Sequence, residues 1–300
     1  MHSSRKAFSF LLSVFSLVVI YSSSAWAHEE RDDGWKKLQA GLWLQIFEPR
    51  TQTQSGQQQL YISVLKIDPK QYDFHLLTVS EKNEQRKTLP EWMKAHDLHA
   101  AINASMFWKD QRTSTGYMKN YDHLNNPHVH PKYEGFLVFH PIHDHLPEIR
   151  IIDQEHDQNW RELLDEYNTV IQSFRMISQK GKNVWEQGNK KYSVASVGIT
   201  KDGYVLFIFC QTPLTIHDVN NVLLDMPLNL KNCIFVEGGP TAGLVVSTHN
   251  GIQGWKGISE FFLWSDAPSS FAPLPNVIGI RPKKGAKGKG RTQRSKAKDQ

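Results

Sequence analysis

The chain has 300 residues, of which 39% are apolar and 11% aromatic; this is ample for a sizeable core and excludes disorder throughout. The net charge of +5 is unevenly placed, because residues 281–300 contribute +8 and Arg5 with Lys6 contributes +2, which leaves residues 28–280 at −5. A mildly acidic body argues against a nucleic-acid groove.

The first 27 residues have the pattern of a signal peptide. Arg5 and Lys6 precede an apolar run, residues 7–21, which is short for a bilayer span, and the motif Ala-Trp-Ala at residues 25–27 follows. We expect cleavage after Ala27 and export, either to a periplasm or out of the cell. The alternative is an uncleaved membrane anchor. No later run is apolar for long enough to cross a membrane.

The elements predicted in chain order are mostly short strands with a few helices. The predicted strands are residues 60–67, 72–77, 99–102, 135–139, 148–152, 169–171, 194–200, 204–210 and 233–236, and the predicted helices are residues 89–97, 160–167 and 215–226. The first two strands flank the turn-rich residues 68–71 and predict a hairpin. Asp202-Gly203 predicts a second hairpin, with a tight turn that needs positive φ angles.

Two further features concern the organisation of the chain. Residues 107–134 hold no sustained period and are rich in Asn, His, Pro and Gly, so we expect a long loop. The strand, helix and strand between Tyr204 and Val236 form one α/β unit, whose helix is capped by Thr215 with Asp218 at the capping-box position.

Cys210 and Cys233 each lie within an apolar run that predicts a buried strand. Because disulfides persist in exported proteins, the pair is compatible with a disulfide, and equally with two buried thiols. Neither cysteine has a histidine at a spacing typical of a nucleophile, so we assign neither a catalytic role.

The segment Glu237-Gly238-Gly239-Pro240-Thr241 carries the strongest indication of a site. It places a carboxylate at the end of a buried strand, and the glycines that follow allow a ligand to approach the backbone closely. A solvated Glu before an ordinary Gly-Gly-Pro turn has the same sequence. The segment alone is therefore weak evidence for catalysis.

Five blocks in order strengthen the interpretation. They are Ala101–Phe107, Ser114–Tyr117, Gln172–Ile177, Val197–Gly203 and Val236–Ala242. In order and approximate spacing they resemble the blocks of the phosphodiester glycosidase family, over about residues 59–282. The resemblance implies an α/β (α+β) domain with a mixed β-sheet core and a few flanking helices. Together with the sequence patterns at the two ends, it divides the chain into a signal peptide (1–27), a lead-in (28–58), the domain (59–282) and a basic tail (283–300).

The resemblance also implies equivalent residues. Asn103 matches the Asn of the family's Ile-Asn-Gly-Gly-Phe-Phe block, and Glu237, Gly238, Gly239 and Thr241 match its Asp-Gly-Gly-x-Ser block. Three departures stand out: Ala104-Ser105 replaces Gly-Gly, Glu237 replaces the usual Asp, and an Arg often found near position 194 is absent.

We therefore expect an exported hydrolase that cleaves a sugar 1-phosphodiester, with no cofactor. Glu237 is the expected carboxylate at the anomeric carbon, Arg175 the phosphate clamp, and Asn103 an orienting donor. The alternative for Arg175 is a partly buried structural residue, and for Asn103 a turn residue. The expected substrate-binding residues are Gly238, Gly239, Thr241, Gln172, Ser114 and Tyr117.

Other possibilities follow from the remaining features. Asp122, His128 and His130 resemble metal ligands only weakly, so we expect no metal site. The basic tail, residues 283–300, is expected to be disordered, and either simply solvated or attached to an anionic lipid or envelope polymer. Two alternatives to an enzyme are a non-catalytic glycan or sugar-phosphate binding protein of the same fold, and an interaction protein that acts through its tail.

Overall fold

The structure, a computed structural model, describes residues 34–53, 56–259 and 270–284. The predicted signal peptide and residues 285–300 of the predicted tail lie outside this part. Within these ranges, strands hold 48% of the residues and helices 13%. The predicted class, a β-sheet core with a few flanking helices, is confirmed. No helix in the described ranges is both long and apolar enough to span a bilayer.

The elements are numbered in chain order. The strands are β1 (Lys36–Gln39), β2 (Leu42–Phe47), β3 (Arg50–Thr53), β4 (Gly56–Gln59), β5 (Ile62–Ile67), β6 (Tyr72–Thr78), β7 (Ala100–Asn103), β8 (Met118–Asn120), β9 (His123–Asn126), β10 (Gly135–Pro141), β11 (Ile149–Asp153), β12 (Tyr167–Ser173), β13 (Arg175–Ile177), β14 (Tyr192–Thr200), β15 (Val205–Leu214), β16 (Leu230–Gly238), β17 (Gly243–Thr248), β18 (Gly251–Lys256) and β19 (Asn276–Pro282). The helices are α1 (Val79–Lys82), α2 (Leu89–His96), α3 (Trp160–Asp165) and α4 (Ile216–Asp225), and Gly239–Thr241 forms a 3₁₀ turn.

Three sheets surround one core. Their strand orders are β1-β2-β5-β15-β14-β16-β13, β11-β10-β12-β8-β9 and β18-β17-β7-β19-β6, and among the described residues β3 pairs only with β4. Every described pairing is antiparallel, so the sheets are not of the mixed type that we expected. The inner faces of all three sheets contribute to the largest hydrophobic cluster. Because such sheets are covered on both faces, the central strands are almost continuously apolar.

A helix covers the outer face of each sheet. Helix α4 packs on the seven-stranded sheet, α2 on the sheet that contains β7, and α3 on the sheet that contains β10. Helix α2 begins with a full capping box, in which Thr88 and Glu91 bond each other's backbone N–H. Thr215 caps α4 as predicted, by accepting a hydrogen bond from the Asp218 N–H.

The prediction of a hairpin from residues 60–67 and 72–77 is wrong, because the two strands do not pair with each other. Both strands form, but β5 pairs with β2 and β15, whereas β6 pairs with β19 in another sheet. The turn-rich residues 68–71 redirect the chain from one sheet to the next. Each strand buries its apolar face better against a distant partner than a local hairpin would allow.

The predicted long loop, residues 107–134, also contains regular structure. Strands β8 and β9 form a hairpin within it, and β8 pairs with β12. The segment lacks apolar periodicity because its buried polar residues, Asn120 and Asn126, make specific hydrogen bonds instead of packing. The rest of the segment is irregular, as expected.

The hairpin of β14 and β15 is confirmed, with Gly203 at φ +89° in its turn. Asp202 does not share the positive φ that we expected of it. Helix α4 then carries the chain over β14, so that β16 pairs with the opposite edge of β14. Strands β15 and β16 therefore run parallel to each other with β14 between them, and this crossover brings Glu237 to the end of a central strand.

Cys210 and Cys233 are free thiols. Strand β14 separates them, since Cys210 lies opposite Val194 and Cys233 lies opposite Gly198. Two strand spacings alone are about 9.5 Å, beyond the Cα separation of roughly 7 Å that a disulfide spans. Burial raises the pKa of both thiols to about 12, which leaves them protonated and unreactive.

Lys283, the first residue after the predicted boundary at Pro282, contacts the domain. The Lys283 N–H donates to the carbonyl of Gln71, and its ammonium lies 3.2 Å from the carboxylate of Glu148. The first lysine of the basic segment is therefore tied to the body of the domain.

Candidate active site

Glu237 lies near the end of β16, where the seven-stranded sheet meets the sheet that contains β7. A bulge interrupts the pairing with β14 at this point, because Ser196 faces Phe235 and Ala195 faces Glu237. Bulges of this kind re-aim a side chain at the end of a strand. The side chain is only 8% exposed.

Burial raises the pKa of the Glu237 carboxyl from 4.5 to about 8. The Gly238 N–H donates to one carboxyl oxygen at 2.9 Å and the Thr241 hydroxyl is close by, and both act in the opposite direction by stabilising the ionised form. Desolvation wins because none of these partners carries a full positive charge. At neutral pH the free protein therefore holds Glu237 mostly protonated, close to the point of ionisation.

The glycines after Glu237 are required by close packing and backbone conformation. A Cβ on Gly238 would lie 2.6 Å from the ring of Tyr192. Gly239 has φ +71° and opens the 3₁₀ turn. Gly257 packs behind this turn so closely that a Cβ there would lie 2.0 Å from the carbonyl oxygen of Gly239. These contacts leave no room for side chains and bring the bare backbone to the site.

Asn103 ends β7 and holds the far side of the same turn. Its side-chain N–H donates to the Thr241 carbonyl at 3.0 Å, and its side-chain oxygen accepts from the Gly243 N–H at 2.8 Å. The structure thus brings together five of the predicted residues: Glu237, Gly238, Gly239, Thr241 and Asn103. Because Asn103 is buried and bonded on both sides, it positions the turn.

Ser105 and Ser114 connect this group to the irregular segment after β7. Their hydroxyls lie 2.9 Å apart, and both side chains are buried. Ser105 stands in one of the two positions where the resemblance expects glycine, and its hydroxyl fills that space with a hydrogen bond. The hydroxyl of Ser114 is therefore buried and hydrogen-bonded to Ser105, and it is not free to bind a ligand.

Gln172 is fully engaged with the backbone. Its side-chain oxygen accepts from the N–H groups of Tyr117 and His130, and its amide donates to the carbonyls of His130 and Tyr133. This uses its full ordinary hydrogen-bonding capacity. We predicted a substrate-binding residue, and the geometry instead makes Gln172 the anchor of the segment before β10.

Tyr117 faces a different part of the molecule. Its ring packs against the cluster between α3 and the sheet of β10, and burial, followed by the charge of Asp165, raises the pKa of its phenol. The described contacts do not join Tyr117 to Glu237.

The contacts of Arg175 contradict its predicted role as a phosphate clamp. Its guanidinium donates to the carboxylates of Asp153 at 2.7 Å, Glu155 at 2.6 Å and Glu134 at 2.6 Å, and it is 8% exposed. Three carboxylates around one cation leave the group net negative, which repels a phosphate. The arginine therefore has the structural role that the sequence left as an alternative, and it crosslinks β13, β11 and the turn before β10.

Several residues of this region escaped the sequence analysis. Four rings form a row: His130 stacks on Tyr133 at 3.8 Å, Tyr133 meets Phe174 at 4.1 Å, and Phe174 meets Trp185 at 5.2 Å. The row joins the site through the Phe174 carbonyl, which accepts from the Phe235 N–H. Tyr192, over Gly238, was missed as well. Isolated aromatics in polar stretches give no sequence signal for such a row.

The histidines of residues 123–145 do not converge. His123 bonds the hydroxyl of Ser80, His140 bonds that of Thr169, and His130 stacks on Tyr133. In the described ranges, no group of three or more His, Cys, Asp or Glu side chains is arranged to hold a metal ion.

Comparison with known proteins identifies the family of the chain and similar folds. The sequence profile of the family described as phosphodiester glycosidase matches residues 96–281, more than half of the chain. A search of curated proteins gives no match. Among solved structures, the fold resembles the catalytic domain of zebrafish N-acetylglucosamine-1-phosphodiester alpha-N-acetylglucosaminidase, auto-inhibited by its pro-peptide, with a TM-score of 0.58, 13% identity, and 82% of this chain and 85% of that chain covered.

A hypothetical protein from Synechocystis has the same fold, with a TM-score of 0.54, 11% identity, and 82% of this chain and 63% of that chain covered. Such low identities establish a shared fold alone. The match of the family's sequence profile extends from the end of α2 through the Asn103 block and the Glu-Gly-Gly segment to β19. The chain therefore belongs to the phosphodiester glycosidase family.

Proposed function

We propose that this protein is an exported hydrolase that cleaves the bond between the anomeric carbon of a sugar and a phosphodiester. The observation that carries the proposal is the buried carboxyl of Glu237, poised near ionisation beside a bare glycine backbone. A strongly perturbed carboxyl at the end of a strand is typical of catalytic sites. The family membership supplies the class of bond.

In the proposed mechanism the ionised form of Glu237 faces the anomeric carbon. As the bond to the phosphate oxygen breaks, positive charge develops on the sugar ring, and a carboxylate stabilises that charge as nucleophile or electrostatic partner. When this bond breaks, the phosphodiester becomes a phosphate monoester, which takes the bonding electron pair. Its second pKa is about 6, so it is a weak enough base to leave without a proton. A water molecule finally supplies the hydroxyl of the released sugar and loses one proton to solvent.

The low polarity around Glu237 favours this chemistry. In surroundings of low polarity, the attraction between the carboxylate of Glu237 and the positive charge on the sugar ring is strong. This attraction exists only when that charge forms, so it stabilises the transition state more than the free enzyme. Close approach requires the bare backbone of Gly238 and Gly239, and Asn103 holds that backbone in place. Arg175 takes no part in the proposed mechanism, because its guanidinium is already hydrogen-bonded to three carboxylates.

The test is hydrolysis of a panel of sugar 1-phosphodiesters by the mature chain and by the Glu237→Gln variant. We expect release by the native protein, a loss of at least about a hundredfold in kcat/KM for the variant, and a kcat/KM that rises with pH up to about 8. The exposed Glu186, whose replacement by Gln should change nothing, is the matched control.

Three results would contradict the proposal. Release that is unchanged in Glu237→Gln would remove the carboxylate from the mechanism. Tight binding of sugar phosphates with no turnover across the panel would favour the binding protein of the same fold. A rate that falls as pH rises toward 8 would indicate that the protonated carboxyl is the active form.

The export part of the proposal rests on the sequence pattern of residues 1–27 alone. Expression of the full chain in a bacterial host, followed by fractionation and N-terminal sequencing, should give a mature protein outside the cytoplasm that begins at His28. A full-length chain retained in the membrane fraction would favour the uncleaved anchor.

A further inference from the structure

A cavity lies at the opposite end of β16 from Glu237. It has a volume of about 390 Å³, and its lining includes Lys180, Lys201, Lys231, Leu224, Met226 and Asn229. Leu230, which also lines it, begins the strand that holds Glu237 near its other end, and seven residue steps of extended chain separate the two by about 23 Å. The cavity is therefore distinct from the candidate active site.

Three structural elements converge on this cavity, and each brings one lysine. Lys180 lies in the turn after β13, Lys201 in the turn between β14 and β15, and Lys231 at the start of β16. The Lys201 N–H donates to the carbonyl of Asn229, so the two turns are joined. Asn229 has φ +50°, a left-handed conformation that asparagine adopts more readily than most residues and that suits this turn.

All the charged side chains that line the cavity are positive. Its lining contains three lysines and no Asp or Glu. Within the described ranges, none of the three lysines has a carboxylate within ion-pair distance. The nearby Asp202 is held by the side-chain amide of Asn229 at 3.0 Å. The carbonyl end of α4 contributes only about half a negative charge. Three positive charges stand out in a body of net charge −5.

The lining also contains apolar side chains. Leu223 and Leu230 are buried, Leu224 is 36% exposed, and Met226 is half-buried. A lining that combines unpaired cations with partly exposed apolar side chains matches a molecule with an anionic head and a short hydrocarbon chain. A purely inorganic anion would leave Leu224 and Met226 in contact with water.

We propose that this cavity, the lysine basin, is a binding site for a soluble amphiphilic anion with one phosphate or carboxylate head and a single short alkyl chain. The head lies among Lys180, Lys201 and Lys231, and the chain covers Leu224 and Met226. The volume is within the range of small-molecule sites and is too small for the two chains of a bilayer lipid.

The test is isothermal titration of the mature chain with octyl phosphate below its micellar concentration. We expect one-to-one binding that weakens roughly tenfold in Lys201→Ala/Lys231→Ala, since each exposed charge contributes a factor of a few. The double variant Lys36→Ala/Lys94→Ala removes two exposed lysines elsewhere and should bind like the native chain. Circular dichroism should show that both variants are folded.

Three comparisons keep the proposal falsifiable. Inorganic phosphate and neutral octyl glucoside should each bind at least about tenfold more weakly than octyl phosphate. Inorganic phosphate lacks the alkyl chain, and octyl glucoside lacks the anionic head. Equal affinity in the two double variants, no binding of octyl phosphate, or equally tight binding of phosphate alone would overturn it. Stronger binding to phosphatidic acid vesicles than to the monomer would overturn the choice of a soluble ligand.

Discussion

The raised pKa of Glu237 makes a prediction about stability that does not depend on knowing the substrate. The carboxyl titrates near pH 8 in the folded protein and near 4.5 when exposed. Between these values the folded chain holds a proton that the unfolded chain has lost. Stability must therefore fall as pH rises through this window, and it levels off above pH 8.

The size of the effect follows from the shift. The difference between about 8 and 4.5 is worth up to about 5 kcal/mol at roughly 1.4 kcal/mol per pKa unit. Local relaxation and water entry reduce such penalties, so we expect about 2–4 kcal/mol. Glu237→Gln has no charge to bury at any pH. The variant should gain this amount relative to the native chain between pH 5 and pH 9.

The measurement is urea-induced unfolding, followed by tryptophan fluorescence, of the native chain and the variant at pH 5, 7 and 9. The exposed Glu186→Gln variant serves as control and should parallel the native chain at every pH. If the difference in unfolding free energy between Glu237→Gln and the native chain is the same at pH 5 and pH 9, then Glu237 is not held protonated by burial and the reasoning fails.

Three other substitutions test the packing around the site. Gly238→Ala should lower the free energy of unfolding by about 1–3 kcal/mol and abolish turnover, because the new methyl group collides with the Tyr192 ring, whereas Gly188→Ala, with open space around it, should do neither. Arg175→Met should cost about 3–5 kcal/mol in urea unfolding, since it strips a buried cation from three carboxylates; an unchanged midpoint would contradict the ion-pair role. Asn103→Ala should cost about 1–3 kcal/mol by leaving two backbone groups of the turn unbonded, and native-like thermal unfolding would show that water replaces the amide.

The sequence by itself determined the local features of the protein. Thr215 and Asp218 predicted the start of α4, and Asp202-Gly203 predicted the turn between β14 and β15, because caps and turns depend on residues close in the chain. The order of the sequence blocks was enough to indicate the family and the Glu-Gly-Gly segment. The position of Asn103 at the end of a strand was predicted for the same reason.

Only the tertiary structure decided which distant residues meet. Strands β5 and β6 looked like a hairpin, yet each found its partner in another sheet. Arg175 looked like a phosphate ligand until three carboxylates from other segments surrounded it. The pKa of Glu237 depends on how completely other elements exclude water from it. Burial and charge pairing are properties of the whole packed core, so residues that are remote in sequence set them.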